Sequence, residues 1–109
     1  MTFQDTKELA VKIIREEFLA ANIPVKQIYL FGSQSRSEAR PDSDWDFLVC
    51  VNDELPFSEK AKIISDIQTR LAEKFISVDI IIKSETRLKQ ERNNVGIITY
   101  YALKDGVLV

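Results

Sequence analysis

The sequence predicts an α/β (α+β) fold, a small mixed sheet with helices packed against it. Two observations carry this. Apolar residues recur at helical spacing in three long stretches, and short apolar, β-prone runs alternate with them. No linker, repeat or low-complexity tract interrupts the 109 residues, so the expectation is a single domain over 1–109.

Leu9, Ala10, Ile13, Ile14, Phe18 and Ala21 share one face of a first helix, with Thr2 and Asp5 as a capping pair at its start and Pro24 as its stop. Val25–Phe31 follows as a strand, broken by Gly32-Ser33. The polar stretch from Ser33 to Ala39 is expected to make one or two helical turns, and Pro41-Asp42-Ser43 a loop. Asp44–Val51 (DWDFLVCV) is the second strand. After a loop from Asn52 to Phe57, Ser58 is the expected N-cap of a helix with the stripe Ile63, Ile64, Ile67, Leu71 and Phe75. Ser77–Lys83 (SVDIIIK) is the third strand. A single final helix, capped by Ser84 or Thr86, should carry Leu88, Val95, Ile98 and Ala102 and end at Gly106, before a short edge strand at Val107–Val109.

Composition removes several function classes. There is no histidine and one cysteine, Cys50, so Ser-His and Cys-His dyads, histidine-ligated haem, disulfide frameworks and the common zinc enzymes are excluded. General base work falls to a carboxylate, Lys or Tyr. A net charge of -2 argues against a nucleic-acid partner, which needs many Lys and Arg on one face. The polar N-terminus is unlike a signal peptide, and no apolar run approaches the ~20 residues of a membrane span, so no membrane partner and a cytoplasmic location are expected.

The chemistry concentrates in FGSQSRSEARPDSDWDFLVCV. Asp44 and Asp46 are two apart on a strand, so they point the same way with Cα atoms ~6.5–7 Å apart. Such a pair repels itself unless a hard cation with oxygen ligands relieves it, and magnesium held by few carboxylates plus substrate phosphates fits. The plain alternative is a pair of surface acids, which the apolar run FLVCV and the poor strand propensity of Asp make less comfortable. An EF-hand is rejected, because Phe47 stands where Gly is required and Asp53 where Glu is. Gly32-Ser33 stands at a strand-to-helix turn, where backbone can approach a phosphate and the serine hydroxyl can donate; alone it reads equally as an ordinary turn. It is neither a Walker loop nor G-x-G-x-x-G. Arg36 and Arg40 follow as phosphate ligands or as a solvated helix face. Asp79 sits inside an apolar strand; either it joins Asp44 and Asp46 on a neighbouring strand, or it pairs with Lys83 on its own face.

Joined, these residues read G-S-x10-D-x-D, with Gly32, Ser33, Asp44, Trp45 and Asp46, and a third acid, Asp79, on the next strand. This resembles the polymerase-beta-like nucleotidyltransferase superfamily, in particular its minimal nucleotidyltransferases. The flanking pattern R-G-x-A-R-x-x-S-D-x-D is also present from Arg36 to Asp46, through Ala39, Arg40 and Ser43, with Ser37 in place of Gly. The resemblance implies the nucleotidyltransferase fold and a two-metal enzyme. Asp44 and Asp46 would bridge two Mg2+ ions, with Asp79 on the metal that binds the acceptor hydroxyl. Gly32 and Ser33 would hold the β- and γ-phosphates of ATP, with Arg36, Arg40 and Ser43 at the nucleotide site. It also implies a small helical HEPN toxin as partner, which such an antitoxin modifies by moving AMP onto a tyrosine, within a homo- or hetero-oligomer. The competing expectation is a non-catalytic antitoxin or regulatory module that neutralises its partner by binding. Transfer to a small molecule and a D-x-D glycosyltransferase are disfavoured, since both need more chain for the acceptor.

Overall fold

The computed structural model describes residues 1–32, 34 and 44–109. Helix α1 (Phe3–Ala20) begins in a capping box, with the Asp5 N–H donating to Thr2 Oγ1 (3.0 Å) and the Thr2 N–H to Asp5 Oδ2 (3.2 Å). It buries Ala10, Ile13, Ile14 and Phe18. The chain turns at Asn22 (φ 58°), where the Ile23 N–H reaches Phe18 O (2.9 Å) and the Asn22 N–H reaches Leu19 O (3.0 Å), a Schellman ending.

Strand β1 (Val25–Phe31) pairs antiparallel with β2 (Trp45–Val51). Helix α2 (Phe57–Ala72) then crosses over to β3 (Val78–Ser84), which lies parallel to β2. Helices α3 (Glu85–Glu91) and α4 (Ile98–Asp105) follow, and β4 (Val107–Leu108) returns antiparallel to β1. The sheet order is β3-β2-β1-β4. The sheet is therefore mixed, as expected, with helices on both faces.

Strand alternation divides the core. Ile28, Leu30, Trp45, Phe47, Val49, Val51, Val78, Ile80 and Ile82 face α1 and α2, which we call the back. Phe31, Leu48 and Cys50 face Leu88 and Ala102 of α3 and α4, the front. Both faces of β2 are covered, which is why it reads as a continuous apolar run after Asp46. Arg70 of α2 clamps α1 through Glu16 and Glu17, each at 2.9 Å.

Several sequence expectations are corrected. The N-cap of α2 is Pro56, not Ser58: its carbonyl accepts from the Glu59 and Lys60 N–H groups, each at 3.1 Å, and no side chain caps the helix. The final helix is two helices, because Asn94 Oδ1 accepts from the Gly96 N–H (3.1 Å) and offers the backbone a turn in place of another helical bond. Val95 is consequently exposed rather than on a buried stripe. Phe75 does not join the apolar stripe of α2. It lies past the helix end with φ 61° and is 98% exposed. The short helix expected from Ser33 to Ala39 lies outside the described residues apart from Gln34.

Gly106 does end α4, but not through a left-handed backbone; its φ is -75°. A Cβ there would overlap the Ala102 carbonyl oxygen, which accepts the Gly106 N–H at 3.0 Å. Gly106→Ala should lower stability by about 1–3 kcal/mol through this overlap. Urea unfolding measures it, and an unchanged midpoint would show that the α4–β4 corner relaxes freely.

Candidate active site

The site forms where β1 ends and β2 and β3 begin. In the register of the sheet Phe31 stands opposite Asp46, and Asp46 opposite Asp79. Residues directly opposite share a face, so these three side chains emerge together on the front. Asp44, expected as the first residue of the strand, instead lies one residue before β2, close enough for its charge to act on Asp46. Trp45, between them, turns to the back, where it is buried against Phe47 (ring centroids 6.3 Å apart) and Phe3 (4.9 Å). The Trp45 backbone N–H donates to Ser77 O (2.9 Å), tying the start of β2 to the segment that leads into β3. The two acids therefore flank a residue fixed by both packing and hydrogen bonding.

Asp46 is half-buried, while Asp44 and Asp79 are exposed. Burial pushes the Asp46 carboxyl above the usual carboxylate range, and the charges of Asp79 and then Asp44 push it further. Those contributions place all three acids in one electrostatic field. Among the described residues, no three metal-ligating side chains already converge as a ready coordination cluster. Mutually repelling carboxylates with free oxygen ligands are nevertheless the donor set that suits a hard cation such as magnesium.

The alternative pairing of Asp79 with Lys83 is not formed. Lys83 Nζ turns to Glu91 (3.2 Å), which also accepts from Arg87 Nε (2.8 Å) and Thr99 Oγ1 (2.8 Å). This buried knot joins β3, α3 and α4 on the front face and leaves the start of β3 to Asp79.

Gly32 completes the corner. Its φ of 74° is unfavourable for other residues, and a Cβ built on it would overlap Asp46 Oδ2. The glycine is thus required twice, for its backbone and for the close seat of the Asp46 carboxylate. Ser33, Arg36, Arg40 and Ser43, the other expected nucleotide ligands, lie outside the described residues. Gln34, buried beside this turn, was not singled out from sequence, where one polar residue among many carries no signal.

A profile described as "Polymerase beta, Nucleotidyltransferase" matches residues 12–104, which span all the acids. The chain belongs to this nucleotidyltransferase family. No curated protein sequence matches it. Among solved structures, this nucleotidyltransferase is similar to a toxin-antitoxin with AMP-PNP, with TM-score 0.62, 23% identity, and 89% of this chain and 69% of that one covered. It is similar to a tri-AMPylated Shewanella oneidensis HEPN toxin in complex with MNT antitoxin, with TM-score 0.62, 20% identity, and 98% and 71% covered. It is also similar to a candidate minimal nucleotidyltransferase, with TM-score 0.62, 22% identity, and 98% and 95% covered. At these identities the likeness establishes the fold. No helix among the described residues is long and apolar enough to cross a membrane.

Asp46 gives a signed pH dependence. Its folded-state pKa is raised, so ionising it in the folded protein is disfavoured. The penalty is absent below the unfolded pKa and fully present above the folded one, so this group lowers stability as pH rises through the carboxylate range. Asp46→Asn should raise the metal-free thermal midpoint at neutral pH, with the gain disappearing in acid. Added Mg2+ should stabilise the wild type and not the variant; equal stabilisation of both in thermal melts would remove Asp46 from the metal site. Gly32→Ala should lose Mg2+-dependent stabilisation as well, because the new methyl displaces the Asp46 carboxylate. Unchanged Mg2+ binding by calorimetry would refute the close-seat argument.

Proposed function

We propose that this chain is a magnesium-dependent nucleotidyltransferase that moves AMP from ATP to a tyrosine hydroxyl of a partner protein, a HEPN-type toxin for which it acts as antitoxin. The observation that carries the reading is the adjacency of Asp46 and Asp79 across the parallel strand pair, with Gly32 seated against Asp46. The toxin-antitoxin likenesses, including a tri-AMPylated toxin with its antitoxin, support the choice of acceptor.

In this reading Asp44, Asp46 and Asp79 would hold magnesium, which would supply charge neutralisation to the attacking and leaving oxygens of an in-line displacement. The protein's own residues do the positioning. The Gly32-Ser33 turn holds the β- and γ-phosphates, with Arg36, Arg40 and Ser43 at the nucleotide. The tyrosine oxygen forms a bond to the α-phosphorus as the bond from that phosphorus to the bridging oxygen breaks. Pyrophosphate leaves, and the phenol proton passes to Asp79. Orientation and charge neutralisation, rather than covalent work, supply the acceleration.

The test is incubation of the purified chain and a HEPN-type partner with labelled ATP and Mg2+. Label should appear on a partner tyrosine and vanish with EDTA or with the Asp44→Asn, Asp46→Asn pair. If the partner stays unlabelled yet is neutralised equally by wild type and double variant, the chain is a binding module and not an enzyme.

A further inference from the structure

The two edges of the sheet are finished differently. At the β3 edge, Asp79 stands exposed and Gln68 Nε2 donates to Val78 O (3.0 Å). At the β4 edge stand Val107, Leu108 and Val109, three apolar residues with no charge or proline among them to discourage pairing. The Val109 N–H donates to Ile28 O (3.0 Å), so Val107 and Val109 turn their backbone groups towards β1. Alternation therefore points the Leu108 N–H and C=O out of the sheet edge. The Val107 and Leu108 side chains are exposed as well.

The layer behind this edge is open too. A groove of about 610 Å³ runs along the outer face of α1, with Val109 at its side. Val11 and the exposed Leu19 supply its apolar surface. Phe3, at the start of α1, packs on Trp45 at the start of β2, and the helix ends where the chain turns into β1, so α1 runs antiparallel to β1 and alongside β4. Arg15 Nη2 reaches Val109 O (3.5 Å), which sets the middle of α1 level with the edge strand. Glu8 and Arg15 line the same groove about two turns apart, on either side of Val11.

We propose that this edge is the interface with a second copy of the chain, related by a twofold axis that crosses the sheet beside Leu108. An antiparallel pair of β4 strands centred there lets the two Leu108 residues exchange both N–H···O bonds and joins two four-stranded sheets into one. The side-chain pairs across it are all apolar: Leu108 meets its own copy on the front, and Val107 meets Val109 of the second copy on the back. The same axis lays the two α1 helices antiparallel, each closing the groove of the other. With the axis level with Val11, Glu8 of each copy stands opposite Arg15 of the other, and Gln4 opposite Leu19. The charges on this face thus complement a reversed copy of themselves. The acids of the candidate site are on or beside β2 and β3, away from this edge, and stay open. The inference does not depend on the function proposed above.

Sedimentation velocity of the purified chain at concentrations up to about 200 μM should show a monomer–dimer equilibrium. Glu8→Arg alone and Arg15→Glu alone each bring like charges together across the axis, and each should raise the dimer Kd about tenfold or more. The double variant Glu8→Arg, Arg15→Glu reverses both signs and should restore dimerisation. Leu108→Pro removes the N–H that faces the second copy, at an edge position that proline tolerates, and should give a monomer with an unchanged circular dichroism spectrum. The charge exchange decides by itself if Leu108→Pro does not fold. A wild type that stays monomeric at every concentration overturns the proposal. So does a dimer that Leu108→Pro and both single charge variants leave unchanged, since it would lie on another face. Loss of the dimer in the single charge variants without recovery in the double variant overturns the self-pairing and leaves the groove to a different occupant.

Discussion

The in-register parallel pairing of β2 with β3 is the constraint on which the site depends. It sets Asp46 opposite Asp79, and nothing local to either strand could do so. A slip of one residue would turn Asp79 to the back face and bring an isoleucine to the front. The register is held by what that slip would expose. Val78, Ile80 and Ile82 are all buried against the back layer. Parallel neighbours also need a crossover, and α2 supplies it, buried through Ile63, Ile67 and Leu71 and clamped to α1 by Arg70. The back of the molecule thus fixes the chemistry on its front. The Trp45–Ser77 hydrogen bond starts the pairing within two residues of both acids.

That arrangement opposes stability locally. Asp46 is half-buried beside two like charges, with the backbone corner of Gly32 pressed on its carboxylate. A fold selected for stability alone would place an apolar or amide side chain there. Under the proposed function, a cation and an anionic substrate sharing the corner would offset this cost. The Glu91 knot has the opposite character: Lys83, Arg87 and Thr99 all satisfy one buried carboxylate. Among the described residues the Glu91 carboxylate is fully partnered, whereas the half-buried Asp46 carboxyl sits beside like charges.

Much of this was legible in sequence because it depends on short periods. Two-residue alternation placed the strands, and helical spacing found α1 and the middle of α2. The Thr2–Asp5 capping box and the edge strand after Gly106 were readable from single residues with strong local chemistry. What failed depended on competition between local options. Ser58 is a good cap by propensity, but Pro56 already has the extended backbone and free carbonyl that begin α2. Apolar spacing alone could not reveal that Asn94 would break the last helix. Phe75 matched the stripe of α2 by spacing. Its exclusion follows from Ile76, which takes the buried position beyond the helix and forces the preceding residue left-handed. Strand pairing was outside the reach of periodicity, so the meeting of Asp79 with Asp46 stood only as one of two options.

The open flank of β3 follows from the same architecture. An unpaired strand edge invites another strand to add to it, and proteins guard such edges with charge or side-chain caps. Here Gln68 takes the Val78 carbonyl and Asp79 stands exposed beside it, so the start of β3 is a poor template for strand addition. The far end of the strand is covered by α3, which begins at Ser84 with the Ser84 hydroxyl accepting the Arg87 N–H (3.2 Å). What is left uncovered is the short stretch beside Asp79, bounded by the exposed ring of Phe75. The exposed charge of Asp79 keeps another strand away from this edge, which accommodates an acid within a run of isoleucines; under the proposed function the same carboxylate would also take the proton of the acceptor hydroxyl.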